Sequence, residues 1–412
     1  MRLLLALSFF ICLPSYGQDA SRTFIKTLCA PNMWGRGYVN GGDSIAGDFI
    51  SSEFKSIGLD PFGNSYQQNF EFPVNTFPKE MLFIAEDDTL IPGIDYLVDP
   101  SSAGGGYSYK TLYFSGDDLL KKEIKDLQIP EKTILIVKNF GFTRDSIQAI
   151  KKYLHVLADG YPIIELTQDK LTWSVSQEKM EHPYLLVFQH PELAECKEIK
   201  INITQIWESN HTAANIVGYL PADKKSDEFL VLSAHYDHLG CMGKDTYFPG
   251  ANDNASGNGM LMALAKEFST KKLKYNIVFI AFAGEEIGLL GSKYMVEHPL
   301  FPLEKIKFLV NLDIMGSGEE GITVVNASLF PKEFKKLQKI NARKKLIEAI
   351  KPRGPAANSD HYFFTKAGVP SIFIYTMGPN KNYHDVADQF AALSFSAYDD
   401  IKELLLLFLN SF

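Results

Sequence analysis

Cysteine is scarce in this chain, with four among 412 residues: Cys12, Cys29, Cys196 and Cys241. A fold built on disulfides is therefore excluded. With Cys12 set in an N-terminal leader, three remain, enough for at most one bridge and one free thiol. Cys241 has no cysteine neighbours for a Cys-rich metal site and reads as a small buried residue. Long apolar runs are missing too. Leu3–Leu13 is too short to span a bilayer comfortably, and Leu404–Leu409 reads as the core face of a C-terminal helix, so no integral membrane segment is expected. Excess positive charge is absent: 41 Lys and Arg stand against 49 Asp and Glu, which argues against nucleic acid or an anionic membrane as the main partner. Neither an internal repeat nor a low-complexity tract is present.

What is there reads as an exported globular protein. Arg2, the apolar stretch after it and Ser15-Tyr16-Gly17 form a Sec-type signal peptide over residues 1–17, with cleavage before Gln18 and a periplasmic or extracellular destination. The hydrophobic share of 46% is enough for a sizeable core. Residues 18–75 open the fold, with a helix capped by Asp43 or Ser44. Its apolar face is Ile45, Phe49 and Ile50, and Gly58 stands just past its end. Residues 76–205 have another texture. Short β-like runs at Leu112–Phe114, Thr133–Val137, Tyr184–Phe188 and Ile199–Thr204 surround one helical segment, Ser146–Leu157, and mark an inserted β-rich domain.

From residue 206 to 412 the pattern becomes strand, loop, helix, repeated. Continuous apolar runs start at Phe229, Asn276, Phe308 and Ser371, as expected of strands buried on both faces of a sheet. The fold class is therefore α/β, with a mixed, mostly parallel central sheet, helices on both faces and the β-rich insertion. Each run leads to a polar, metal-competent residue. The first ends at His235, the second reaches Glu285-Glu286, the third ends at Asp313, and the last runs toward His384. Open α/β sheets place their sites at this edge.

Two histidines and several carboxylates in this arrangement suit two zinc ions and leave one carboxylate as a base. Asp237 would take the other ring N–H of His235 or hold the loop. Asp253, in Gly250-Ala-Asn-Asp-Asn-Ala-Ser-Gly257, can offer its two oxygens to two metals, while Asp253 or Asn254 also suits an ordinary helix cap. Adjacent acids at a buried strand's exit, Glu285 and Glu286, divide naturally into one ligand and one general base. Tyr383 either donates a hydrogen bond to a developing oxyanion or packs beside His384. Ser359 or Asp360 reads equally as an N-cap. Asp385 and Asp388 support His384 or do nothing, and His238, His361 and Asp388 stand outside the ligand set.

His235-Tyr-Asp237, Gly250-Ala-Asn-Asp253-Asn, Gly284-Glu285-Glu286, Asn311-Leu-Asp313 and Tyr383-His384-Asp385 together resemble the M28 family of co-catalytic zinc peptidases. The middle region loosely resembles the protease-associated or apical insert of many members. The resemblance implies one zinc on His235 and Asp313, another on Glu286 and His384, Asp253 bridging them and Glu285 as general base. It also implies a cis peptide at Asp253-Asn254. Its leading activity is release of N-terminal residues from peptides or proteins. A carboxypeptidase, for which Arg353 is the nearby cationic candidate, a single-zinc glutaminyl cyclase and a non-catalytic binding ectodomain are the alternatives on this scaffold.

Overall fold

The computed structural model describes residues 16–121 and 129–412. Most of the expected leader, residues 1–17, thus lies outside the described residues. Among those described, no helix is long and apolar enough to cross a membrane.

The larger sheet has four parallel strands at its centre, in the spatial order Asn276–Phe282, Phe229–His235, Ile306–Asp313 and Ser371–Met377. Antiparallel Ile206–Leu220 flanks one side and antiparallel Gly321–Val325 the other, followed by the short Ile350–Pro352. The sheet is mixed with a parallel centre. Along the first three of these strands, alternate side chains enter different cores. Leu230, Leu232 and Ala234 pack with Ile50, Phe54, Leu264 and Phe408 on one face. Val231, Val278, Ile280 and Phe282 pack with Met295 and Phe364 on the other. Burial on both faces explains why these strands read as continuous apolar runs, each fully buried large side chain contributing about 1.5–3 kcal/mol.

The helix expected in residues 18–75 is Gly42–Ile57, preceded by the helix Tyr16–Leu28, and Gly58 ends it in the left-handed region at φ 88°. Its start differs from expectation. Gly41 is the cap residue, and neither Asp43 nor Ser44 caps through its side chain. Asp43 is buried instead, with one oxygen 2.7 Å from His211 Nε2. Ala46, Gly47, Ile50 and Phe54 form the buried face, leaving Ile45 39% exposed.

A second, eight-stranded sheet is built from residues between Met81 and Ile203. All four β-like runs of the middle region are strands in it. Glu198–Ile203 alternates strictly between exposed and buried positions. Gly105–Ser115, Thr133–Lys138, Ile163–Thr167 and Tyr184–Phe188 run parallel, and the helix Arg144–Leu157 crosses between the second and third. That helix starts two residues earlier than expected because Thr143 accepts the Ser146 amide as its cap. Phe248 of the larger body stacks on Trp173 at 4.8 Å and so packs into the core of the second sheet. Cys29, Cys196 and Cys241 are all buried free thiols, so the one disulfide the count allowed is not formed among the described residues.

Candidate metal centre

His235 is the last residue of its strand and 1% exposed. Its Nδ1 lies 3.2 Å from the Asp237 carbonyl oxygen and 3.8 Å from the nearest Asp237 carboxylate oxygen. The expected side-chain partner is therefore the main chain, which leaves Nε2 free for another ligand. The Asp237 carboxylate takes the other of its two expected roles. It accepts the amides of Glu285 and Glu286 at 3.2 and 3.1 Å, and the Tyr38 hydroxyl.

Asp253 sits in the tight turn Ala251–Ala255 that leads into the helix Ser256–Ser269. The cap position of that helix is Ala255, so neither Asp253 nor Asn254 is its cap residue, although Asn254 Oδ1 accepts the Gly257 amide of the first turn at 2.9 Å. The peptide between them is cis, as the resemblance implied. Asp388, set aside earlier, accepts the amides of Asn252 and Asp253 at 2.9 and 3.0 Å. The Asp253 carboxylate itself faces both imidazoles, with Oδ1 3.3 Å from His235 Nε2 and Oδ2 3.2 Å from His384 Nε2.

Asp313 Oδ1 is 3.5 Å from His235 Nε2, and Glu286 Oε2 is 3.1 Å from His384 Nε2. Asp360 holds the cap position of the helix His361–Lys366, though its side chain makes no capping hydrogen bond, and Ser359 does not cap it. Ser359 donates to Asp313 Oδ2 at 3.3 Å and accepts from Asn311 Nδ2 at 2.8 Å. His238 donates from Nδ1 to Glu286 Oε1 at 2.7 Å, so it holds a candidate ligand without joining the set. Tyr383 stacks on His384 at 3.9 Å, and the two line one cavity with His235, Asp253, Glu285 and Asp313. The packing role is thus present.

His384 is held from the loop between the second-sheet strands Ile163–Thr167 and Tyr184–Phe188. Its Nδ1 donates to the Trp173 carbonyl at 2.9 Å, and the Trp173 amide donates to the His384 carbonyl at 2.8 Å. Lys170 pairs with Asp385 and donates to the Lys381 carbonyl at 2.7 Å.

Arg36 also escaped the sequence reading. It is fully buried and directs all five of its N–H donors at the carbonyls of Tyr236, Leu28, Pro249, Gly250 and Asp253. The signal was available in Gly35-Arg36-Gly37: a Cβ on either glycine would meet Gly240 backbone atoms at 2.4 Å or less. Arg36→Met is expected to destabilise the fold by about 3 kcal/mol or more, since several buried carbonyls lose their donors. Urea unfolding measures it, and a loss under about 1 kcal/mol counts against this role.

A cation fits here. Two ligands on one tetrahedral zinc stand roughly 3.3 Å apart, and the four imidazole–carboxylate separations span 3.1 to 3.5 Å. Asp313 Oδ1 and His384 Nε2 are buried with no hydrogen-bond partner. His235, Asp253 and Glu286 offer ligand atoms within 4.8 Å of one another, as do His235, Glu285 and Asp313. The electrostatics agree. Burial raises the Glu285 carboxyl well above its usual range, with Glu286, Asp360 and Asp313 adding to it against His235. Burial also opposes charge on His384, yet Glu286 and Asp253 outweigh it and push the imidazolium up to about 11. The cluster holds protons because it attracts positive charge.

Residues 215–409 match the sequence profile of Peptidase family M28. A stretch of 106 residues is 41% identical to a probable zinc metalloprotease of Pyricularia oryzae, covering 25% of this chain and 21% of that protein. Another of 114 residues is 35% identical to aminopeptidase YwaD of Bacillus subtilis, covering 27% and 24%. The matched stretches span less than a quarter of these curated relatives. In fold, the chain is similar to BSAP, a zinc aminopeptidase from Bacillus subtilis, with a TM-score of 0.72, 19% identity and coverage of 97% and 96%. It is also similar to a peptidase M28 precursor from Shewanella amazonensis, with a TM-score of 0.64, 17% identity and 95% of each chain covered. The strand-end residues gathered as described all lie within residues 215–409, the stretch that matches Peptidase family M28.

Proposed function

We propose that this protein is an exported aminopeptidase that hydrolyses peptide bonds with two zinc ions. One ion would be held by His235 and Asp313, the other by Glu286 and His384, with Asp253 shared. The observation that carries this is the split of the Asp253 carboxylate, Oδ1 toward His235 and Oδ2 toward His384. When bound, the metals supply Lewis acidity toward a carbonyl oxygen and make water acidic enough to attack near neutral pH.

The chain's own residues do the rest. Glu285 takes a proton from the attacking water at its carboxylate and delivers it to the leaving amine. Asp237 positions it by holding the amides of Glu285 and Glu286. Tyr383, stacked on His384 at the cavity wall, can donate from its hydroxyl to the developing oxyanion. The second sheet, between Met81 and Ile203, supports reading residues 76–205 as an insertion in a peptidase domain made of 18–75 and 206–412.

The test is metal content per chain together with hydrolysis of free and N-acetylated aminoacyl amides, with and without chelator. Two zinc ions, chelator-sensitive turnover and loss of turnover on acetylation are expected. Indifference to acetylation would remove the aminopeptidase reading, and a single metal with cyclisation of N-terminal glutamine would replace it.

A further inference from the structure

Among the described residues, Arg353 is the one Lys or Arg lining the cavity of about 220 Å³ that Glu285, Asp313 and His384 also line. Its position follows from the sheet. Asp313 is registered with Tyr375 on the neighbouring strand, Tyr375 with Thr323 on the next, and Val324 with Pro352 at the edge. The Arg353 amide continues that ladder to the Val324 carbonyl at 2.8 Å. Its side chain then folds back over the sheet. Nη1 is 3.3 Å from the Tyr375 hydroxyl, and the guanidinium carbon is 6.0 Å from the Tyr375 ring centre. The guanidinium therefore sits over the strand next to Asp313, about one to two strand spacings (~5–10 Å) from the ligand cluster.

An exposed arginine is commonly just solvated. This one differs in three ways. It lines the reaction cavity, Tyr375 orients it, and it makes no ion pair with any described residue. A guanidinium has five donors in a planar fork that matches a carboxylate, and the Tyr375 hydroxyl engages one nitrogen. The other lining acids belong to the candidate metal centre.

We infer that Arg353 is a carboxylate-recognition residue of this cavity, so that the enzyme favours peptides with an anionic group next to the scissile bond. The inference rests on the proposed peptidase reading. The carboxylate has two sources at this distance: an acidic side chain on the N-terminal residue, or the free C-terminus of a dipeptide.

Zinc-loaded wild type and Arg353→Ala, Arg353→Lys and Arg353→Glu are compared on two substrate pairs. Glu-Gly amide against Gln-Gly amide reads the side chain, and Leu-Gly against Leu-Gly amide reads the terminus. The wild type is expected to favour the anionic member of one pair by about tenfold to a hundredfold in kcat/KM, the range of a hydrogen bond to a charged group, mostly through KM. Arg353→Ala should abolish that ratio while leaving the neutral member within about twofold, Arg353→Lys should keep part of it, and Arg353→Glu should invert it. Whichever pair responds identifies the source. Equal ratios in wild type and Arg353→Ala overturn the inference alone. Absence of turnover on all four substrates overturns the peptidase reading and this inference with it.

Discussion

Turnover is expected to fall about 10²- to 10⁴-fold when Glu285 is replaced by glutamine, with zinc content unchanged. The substitution keeps the size of the side chain and removes only its capacity to take a proton. The Asp237 carboxylate grips the backbone of Glu285 and Glu286, not their side chains, so the turn should stay in place. The deficit belongs in kcat, because a general base acts only as the water attacks. Metal analysis makes the prediction sharp, since Glu285 also lies within ligand reach of His235 and Asp313. Loss of one zinc from the glutamine variant would move Glu285 from base to ligand, and near-normal kcat with full zinc would remove it from the chemistry.

The second large effect is expected at Asp253. Asp253→Asn takes the shared negative charge from between two imidazoles, and the variant should retain at most one zinc and show no measurable turnover. Thermal unfolding gives an independent reading. A ligand bound only by the folded state stabilises it by about 4 kcal/mol when free metal is about 1,000 times its dissociation constant. Chelator should therefore lower the melting temperature of the wild type, with zinc restoring it, and should hardly move the Asp253→Asn variant. Equal chelator responses in the two proteins would show that Asp253 is not shared between metals.

The strand-exit residues were legible because of how parallel strands are buried. A strand covered on both faces is apolar until it leaves the sheet, so His235, Glu285 and Asp313 stand out as abrupt changes of chemistry. The helix Gly42–Ile57 was legible for its periodicity and for Gly58, but not for its start. Asp43 has the composition of a cap, and only the fold brings His211 to it. The same blindness applies to His238, whose partner Glu286 lies 48 residues away. Asp237 shows a subtler limit. Its neighbourhood to His235 suggested a side-chain bond, whereas the carbonyl reaches the ring and the carboxylate turns to the next strand's loop. Main-chain partners leave no trace in side-chain chemistry, which is why Trp173 could not be connected to His384.

That clasp between Trp173 and His384 bears on how the protein could be shortened or recombined. A chain without residues 81–203 would keep every candidate ligand, yet lose the carbonyl that sets the proton on His384 Nδ1 and turns Nε2 toward the metal. Lys170 and its hold on Asp385 would go as well. The second sheet is therefore no detachable module. A transplant from another peptidase would have to bring its own segment to the same place, main chain against main chain.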